Sequence, residues 1–121
     1  MTDRELLELA AKAAGLPDAV WDDFYRCIAY TAENGIKDCS WNPLSNDGTA
    51  LRLAVKLGIV IYPLAHTSIG HSERTGKTNL ARFGWLKSEK WYYLVIEHTD
   101  DYYKATRLAI VSAAAKIGKS A

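Results

Sequence analysis

The sequence predicts an α+β fold: a layered α-β-α sandwich, with an antiparallel or mixed sheet of four to five strands flanked by three helices. Three observations carry this expectation. Ile59-Val60-Ile61-Tyr62 and Trp91-Tyr92-Tyr93-Leu94-Val95-Ile96 are apolar on both faces, so each needs cover on both sides rather than one solvated face. Apolar residues at helical spacing occur near both chain ends and once in the middle. Asn34-Gly35 is the favoured turn of a two-residue hairpin.

The first helix is expected over residues 3 to 14. Thr2-x-x-Glu5 forms a capping box, Leu6, Leu9, Ala10 and Ala13 make the inward stripe, and Gly15 with Pro17 stops the helix. Residues 20 to 41 suit two readings. Val20, Trp21, Phe24 and Ile28 fit a helix, whereas alternation from Phe24 to Tyr30 fits a strand. Asn34-Gly35 favours the strand reading, as a hairpin. Its two-residue turn sets Tyr30 opposite Cys39 and Ile28 opposite Trp41, gathering Phe24, Ile28, Tyr30, Cys39 and Trp41 on one face with Arg26 out of place. This register also puts Cys27 and Cys39 on opposite faces, where no disulfide can form.

Trp41-Asn42-Pro43-Leu44-Ser45-Asn46-Asp47-Gly48 leads into the central helix. Trp41 is a large surface to bury, and Pro43 biases Asn42 toward an extended approach. Asn46 or Asp47 caps the helix. Ala50, Leu53, Ala54 and Leu57 face inward, Arg52 and Lys56 face solvent, and Gly58 ends the helix in a left-handed cap. Asn42, Asn46 and Asp47 could also bind a ligand together, but capping accounts for them. A strand follows over Ile59 to Leu64, and Pro63 ends it or places it near an edge. A short strand is expected around Leu80 to Leu86 and a strong one over Trp91 to Ile96. The last helix starts at Asp100-Asp101, runs through Ala105, Leu108, Ala109, Val111 and Ala115, and is broken by Gly118. Being apolar nearly all round, it is either well buried or faces a partner.

With 121 residues, the chain is expected to form one domain, residues 1 to 121. Fifteen basic against fourteen acidic residues leave a formal charge of +1, so no global field demands nucleic acid or a membrane. No apolar run approaches the roughly 20 residues that span a bilayer, and the charged start Met1-Thr2-Asp3-Arg4-Glu5 is unlike a signal peptide. A cytoplasmic location follows as an expectation, with Cys27 and Cys39 as reduced thiols.

Few residues suggest chemistry. Gly76-Lys77-Thr78 resembles part of a phosphate loop, but the glycine needed five positions earlier is His71. His66, His71 and His98 lack any paired metal-ligand spacing, so no metal and no other cofactor is expected. Neither cysteine is marked as activated. Ser68 and Ser72 lie near histidines in a loop-like stretch, and no nucleophile elbow exists. No catalytic residue is assigned and the chain reads as a non-enzyme. The best local hint is the stretch from His66 to Lys90, where basic residues interleave with Phe83, Trp85 and Trp91. The candidate binding residues are Arg74, Lys77, Arg82 and Lys87. Single-strand binders combine such a basic track with stacking rings, although a solvated basic loop has the same composition.

Three blocks resemble the phage α-β-α sandwich domain family, small bacteriophage and prophage proteins. They are Met1 to Gly15; Trp41-Asn42-Pro43-Leu44 through Leu57; and Asp100-Asp101 with Ala105 to Val111 and Ala113 to Gly118. They cover roughly half the chain, in the family's order. The chain departs from the family in having Asn46-Asp47 where two aspartates are usual, and His66 to Lys90 resembles nothing in it. The resemblance implies a layered fold and a phage source, hence the cytoplasm of a bacterial host; it implies no activity and no catalytic residues. Together these readings give a phage or prophage accessory protein that binds a host or phage macromolecule, with a protein partner, in counter-defence or host takeover. One alternative is a single-stranded nucleic-acid-associated protein using the basic loop. Another is a small nucleotide-binding protein or enzyme whose pocket the sequence does not reveal.

Overall fold

The computed structural model describes the backbone of residues 1–62, 78–85, 90–97 and 102–120, and side chains within 1–59 and 103–120. Its elements are α1 (Asp3–Ala14), β1 (Val20–Asp22), β2 (Cys27–Thr31), β3 (Lys37–Trp41), α2 (Asp47–Leu57), β4 (Val60–Tyr62), β5 (Thr78–Trp85), β6 (Lys90–Glu97) and α3 (Tyr102–Ser120). The fold is α+β, with antiparallel strands and flanking helices in an α-β-α sandwich-like arrangement, the class the sequence predicts. The described strands number six, divided between two three-stranded sheets in the orders β1-β2-β3 and β4-β5-β6, where the sequence pattern gives one sheet of four to five.

Local signals set the helix ends. The Thr2 hydroxyl accepts from the Glu5 amide and donates to the Glu5 carboxylate, each at 3.2 Å, and Gly15 closes α1 at φ 69°. Asn46 caps α2 by accepting from the Thr49 amide at 2.8 Å, and Gly58 closes it at φ 68°. Both glycines stand where a side chain would be strained.

The buried stripe of α1 is Leu7, Ala10, Ala11 and Ala14, with Leu6 and Ala13 only partly covered. This corrects the predicted Leu6, Leu9, Ala10 and Ala13. The helix packs against α3 along one side and against β1 and β2 on another, so its apolar face is broader than one partner would need. In α2 the buried residues are Thr49, Ala50, Leu53 and Ala54, while Arg52 and Lys56 are exposed as expected.

The hairpin of residues 27–41 is strand, not helix, but its turn differs from the expected one. Ala32 C=O accepts from the Gly35 amide and Ile36 C=O from the Ala32 amide, both at 2.9 Å. Gly35 sits at φ 80°, and the Asn34 side chain accepts from the Ile36 amide. Asn34-Gly35 thus closes a longer turn, and Tyr30 faces Asp38 rather than Cys39. An irregularity between Ile28 and Tyr30 restores the register, and Ile28 faces Trp41 as predicted. Between the two pairs, β2 has only Ala29 where β3 has Cys39 and Ser40, which is a bulge in β3. Asp38 Oδ1 accepts from the Ser40 amide and hydroxyl at 2.8 and 2.7 Å and pins the bulge. Phe24 leaves the core face altogether: it lies in the β1–β2 turn and is 84 % exposed. Trp41 is half-buried against the core, not a fully enclosed anchor.

Helix α3 is the well-buried helix of the two alternatives. Ala105, Ala109, Ile110, Val111, Ala113, Ala114, Ala115 and Ile117 are all buried, and the helix packs on α1, on α2 and on β5 and β6. Gly118 does not break it. It lies inside α3, where a Cβ would overlap the carbonyl oxygen of Leu9 in α1. Its role is close backbone approach, a nonlocal cause that a helix-breaker reading misses. Asp100 and Asp101, the expected helix start, lie outside the described residues.

Candidate functional site

Among the sequence-derived binding residues, Arg74, Lys77 and Lys87 lie outside the described residues. Arg82 stands on β5, opposite Val60 of β4 and Tyr93 of β6. Ser68, Ser72, His66, His71 and His98 also lie outside the described residues. Thr78, the last residue of the phosphate-loop fragment, begins strand β5; a phosphate loop would lead into a helix there. Among the described residues no group of three or more His, Cys, Asp or Glu is placed to hold a metal. Cys27 and Cys39 are free thiols. Cys27 Sγ–H donates to the Cys39 carbonyl across the bulge. Burial, reinforced by Asp22, Cys39 and Asp38, pushes the Cys27 thiol above its usual range, the opposite of an activated nucleophile.

The geometry instead assembles a cleft of about 380 Å³ from four separated segments. Leu7, Trp21, Leu44 and Leu108 give it apolar walls, and Asp3, Arg26, Asn42, Ser45 and Lys104 supply its polar groups. The volume falls within the usual range for ligand or side-chain pockets. Its edges are firmly held. Asn42 Oδ1 accepts from the Leu44 amide at 3.0 Å, and Asn42 Nδ2 donates to the Arg26 carbonyl at 3.2 Å, tying the loop before α2 to the β1–β2 turn. Arg107 of α3 donates from Nε to the Leu44 carbonyl at 2.8 Å and from Nη1 to Asp47 at 2.6 Å. Asn42, Asn46 and Asp47 are therefore occupied in capping and bridging, as the capping reading holds.

The β1–β2 turn carries the most exposed part of this face. Asp22 Oδ1 accepts from the amides of Phe24 and Tyr25 at 2.9 and 3.0 Å, and Asp23 accepts from the Trp21 indole at 2.7 Å. Arg26 adopts φ 52°, a left-handed backbone that a residue of this kind seldom takes, with its guanidinium 5.8 Å from the centre of the Trp21 ring. The turn holds Phe24 and Tyr25 edge to face, ring centroids 4.8 Å apart, with Tyr25 66 % exposed. Sequence reasoning missed this site because its walls come from distant segments. The one local signal is Asp22-Asp23 ahead of Phe24-Tyr25-Arg26: two turn-forming carboxylates before an aromatic pair with no core to enter.

No protein-family model, curated protein or solved structure matches the chain. No helix among the described residues is long and apolar enough to cross a membrane.

Proposed function

We propose that this chain acts by binding a protein partner, which lies across the Asp23–Arg26 turn and places an apolar side chain in the adjoining cleft. The supporting observation is the rigid, outward-facing Phe24–Tyr25 pair beside the Trp21–Arg26 stack. Aromatic residues and arginine are enriched in interface cores and dominate their energetics. The turn is fixed by carboxylate–amide hydrogen bonds, so little order would be lost on binding. The resemblance of three sequence blocks to phage proteins supports a host or phage macromolecule as the partner, and a role in counter-defence or host takeover.

The test is to identify the partner by photo-crosslinking from position 25 in phage-infected cells, then to measure its affinity with purified proteins. Phe24→Ala with Tyr25→Ala should weaken binding at least about thirtyfold, as for a central anchor, with an unchanged melting temperature. Unchanged affinity of the double variant would overturn the proposal. So would a crosslinked species destroyed by nuclease, which would favour the basic stretch holding Arg74, Lys77, Arg82 and Lys87.

A further inference from the structure

A second, smaller pocket of about 170 Å³ lies between the β3 bulge and α2. Arg52 and Lys56, one helical turn apart, both line it, facing Tyr30, Ser40 and Trp41. We propose that this pocket binds a phosphate monoester dianion, with Arg52 and Lys56 as its cationic ligands.

Four observations carry this. Arg52 is held from one side, Nη2 donating to Thr49 Oγ1 at 3.3 Å. That bond uses one of five guanidinium donors and leaves the fork free for oxygen ligands. Lys56 is exposed and makes no hydrogen bond or ion pair among the described residues, so its three donors are available. The opposing carboxylate, Asp38, is already engaged by the Ser40 amide and hydroxyl. Two cations against one carboxylate leave the pocket net positive, and two separate cationic donor groups match the several charged oxygens of a phosphate better than the single carboxylate of acetate. The volume admits a phosphoryl group and the first atoms of its ester but not a whole nucleotide, and half-buried Trp41 offers an apolar wall beside them. Inorganic phosphate, an aryl phosphate and a nucleotide phosphate share this chemistry. The site is separate from the Trp21–Arg26 cleft and shares none of its lining residues.

Amide NMR titrations at constant ionic strength test it, with inorganic phosphate, phenyl phosphate, adenosine monophosphate and acetate as probes. Saturable shifts at Ser40, Thr49 and Arg52 are expected with phosphate and not with acetate. The strongest of the three phosphates names the source: phosphate itself, an aryl ester or a nucleotide. Arg52→Gln and Lys56→Gln, both at exposed positions, should each weaken phosphate binding about tenfold. Asp38→Asn should tighten it, an effect that a merely structural role for Asp38 would not give. Absence of saturable shifts, equal response to acetate, or unchanged affinity in the Arg52→Gln, Lys56→Gln double variant would each overturn the assignment.

Discussion

Gly118 of α3 lies directly against the carbonyl of Leu9 in α1, so close that a Cβ at position 118 would overlap the oxygen. Helices α1 and α3 pack on each other, and the alanines Ala10, Ala11 and Ala14 of α1 and Ala113 and Ala114 of α3 are all buried. Small side chains let the two backbones approach, and the close packing gives both helices many dispersion contacts.

Gly118→Ala should therefore destabilise the protein. Alanine gains about 1 kcal/mol in helix propensity over glycine. Overpacking costs about 1–3 kcal/mol, and here the obstacle is backbone that no rotamer change can relieve, which puts the cost at the upper end. A net loss of about 2 kcal/mol is expected in urea denaturation. A gain of about 1 kcal/mol, as for an exposed helical glycine, would show that the helices do not meet there.

The Tyr30–Asp38 pair predicts a pH signature. Hydrogen bonds from the Ser40 hydroxyl and amide, aided by the Tyr30 hydroxyl, hold the Asp38 carboxyl below its ordinary value of 3.8. Its contribution to stability is fully present above that value and lost as pH falls through the depressed one. Burial, then the Asp38 charge, raises the Tyr30 phenol above its ordinary 10.0 against a smaller opposing effect of Arg52. That contribution is present below pH 10.0 and lost as pH rises through the elevated value. Denaturation midpoints across pH should show Asp38→Asn flattening the acid limb and Tyr30→Phe the alkaline one. Differences from the parent protein that stay constant with pH would refute both shifts.

What could be read from the sequence was whatever neighbouring residues decide. Thr2 and Glu5 announce the start of α1, and Asn46 and Gly58 bracket α2, because capping is a contact within a few residues. The register was half legible. Ile28 does face Trp41, but Asn34-Gly35 closes a longer turn than the dipeptide implies, and the bulge at Cys39 and Ser40 absorbs the extra residue. Nothing in those two residues foretells a bulge; the need for it arises from the partner strand. Gly118 shows the same limit. Its sequence neighbours suggest a helix end, while the absence of a side chain there is required by Leu9, far back in the chain. The Trp21–Arg26 cleft was hidden for the same reason, since residues near positions 3, 21, 42 and 104 meet only after folding. Arg74, Lys77 and Lys87 lie outside the described residues and remain proposals.

The two cysteines should differ in reactivity. Cys27 is 3 % exposed and donates to the Cys39 carbonyl, and its raised pKa keeps it protonated. Cys39 is only half-buried. Because the thiolate is the reactive form, iodoacetamide should label Cys39 first under native conditions and Cys27 only once the chain is unfolded. Peptide mass spectrometry reads the order directly. Simultaneous labelling of both would mean that the hairpin opens far more readily than its packing implies.

Arg107 joins α3 to the start of α2 by two bonds of unequal worth. Its side chain is only 17 % exposed, whereas that of Asp47 is 66 % exposed. The ion pair between them is therefore screened by water on the Asp47 side, and exposed pairs contribute at most about 1 kcal/mol. The bond from Nε to the Leu44 carbonyl is better shielded, and removing its donor leaves a half-buried acceptor unsatisfied, at a cost of about 1–3 kcal/mol. Arg107→Met should accordingly cost about 2–3 kcal/mol, with loss of both packing and the carbonyl bond. Asp47→Asn should cost under about 1 kcal/mol, since Asn46 still caps the helix. A double-mutant cycle between positions 47 and 107 should give a coupling below about 1 kcal/mol. If Asp47→Asn proves as costly as Arg107→Met, the ion pair and not the carbonyl bond holds the two helices together. Because Leu44 also walls the Trp21–Arg26 cleft, Arg107→Met should in addition weaken partner binding, while Asp47→Asn should leave it unchanged.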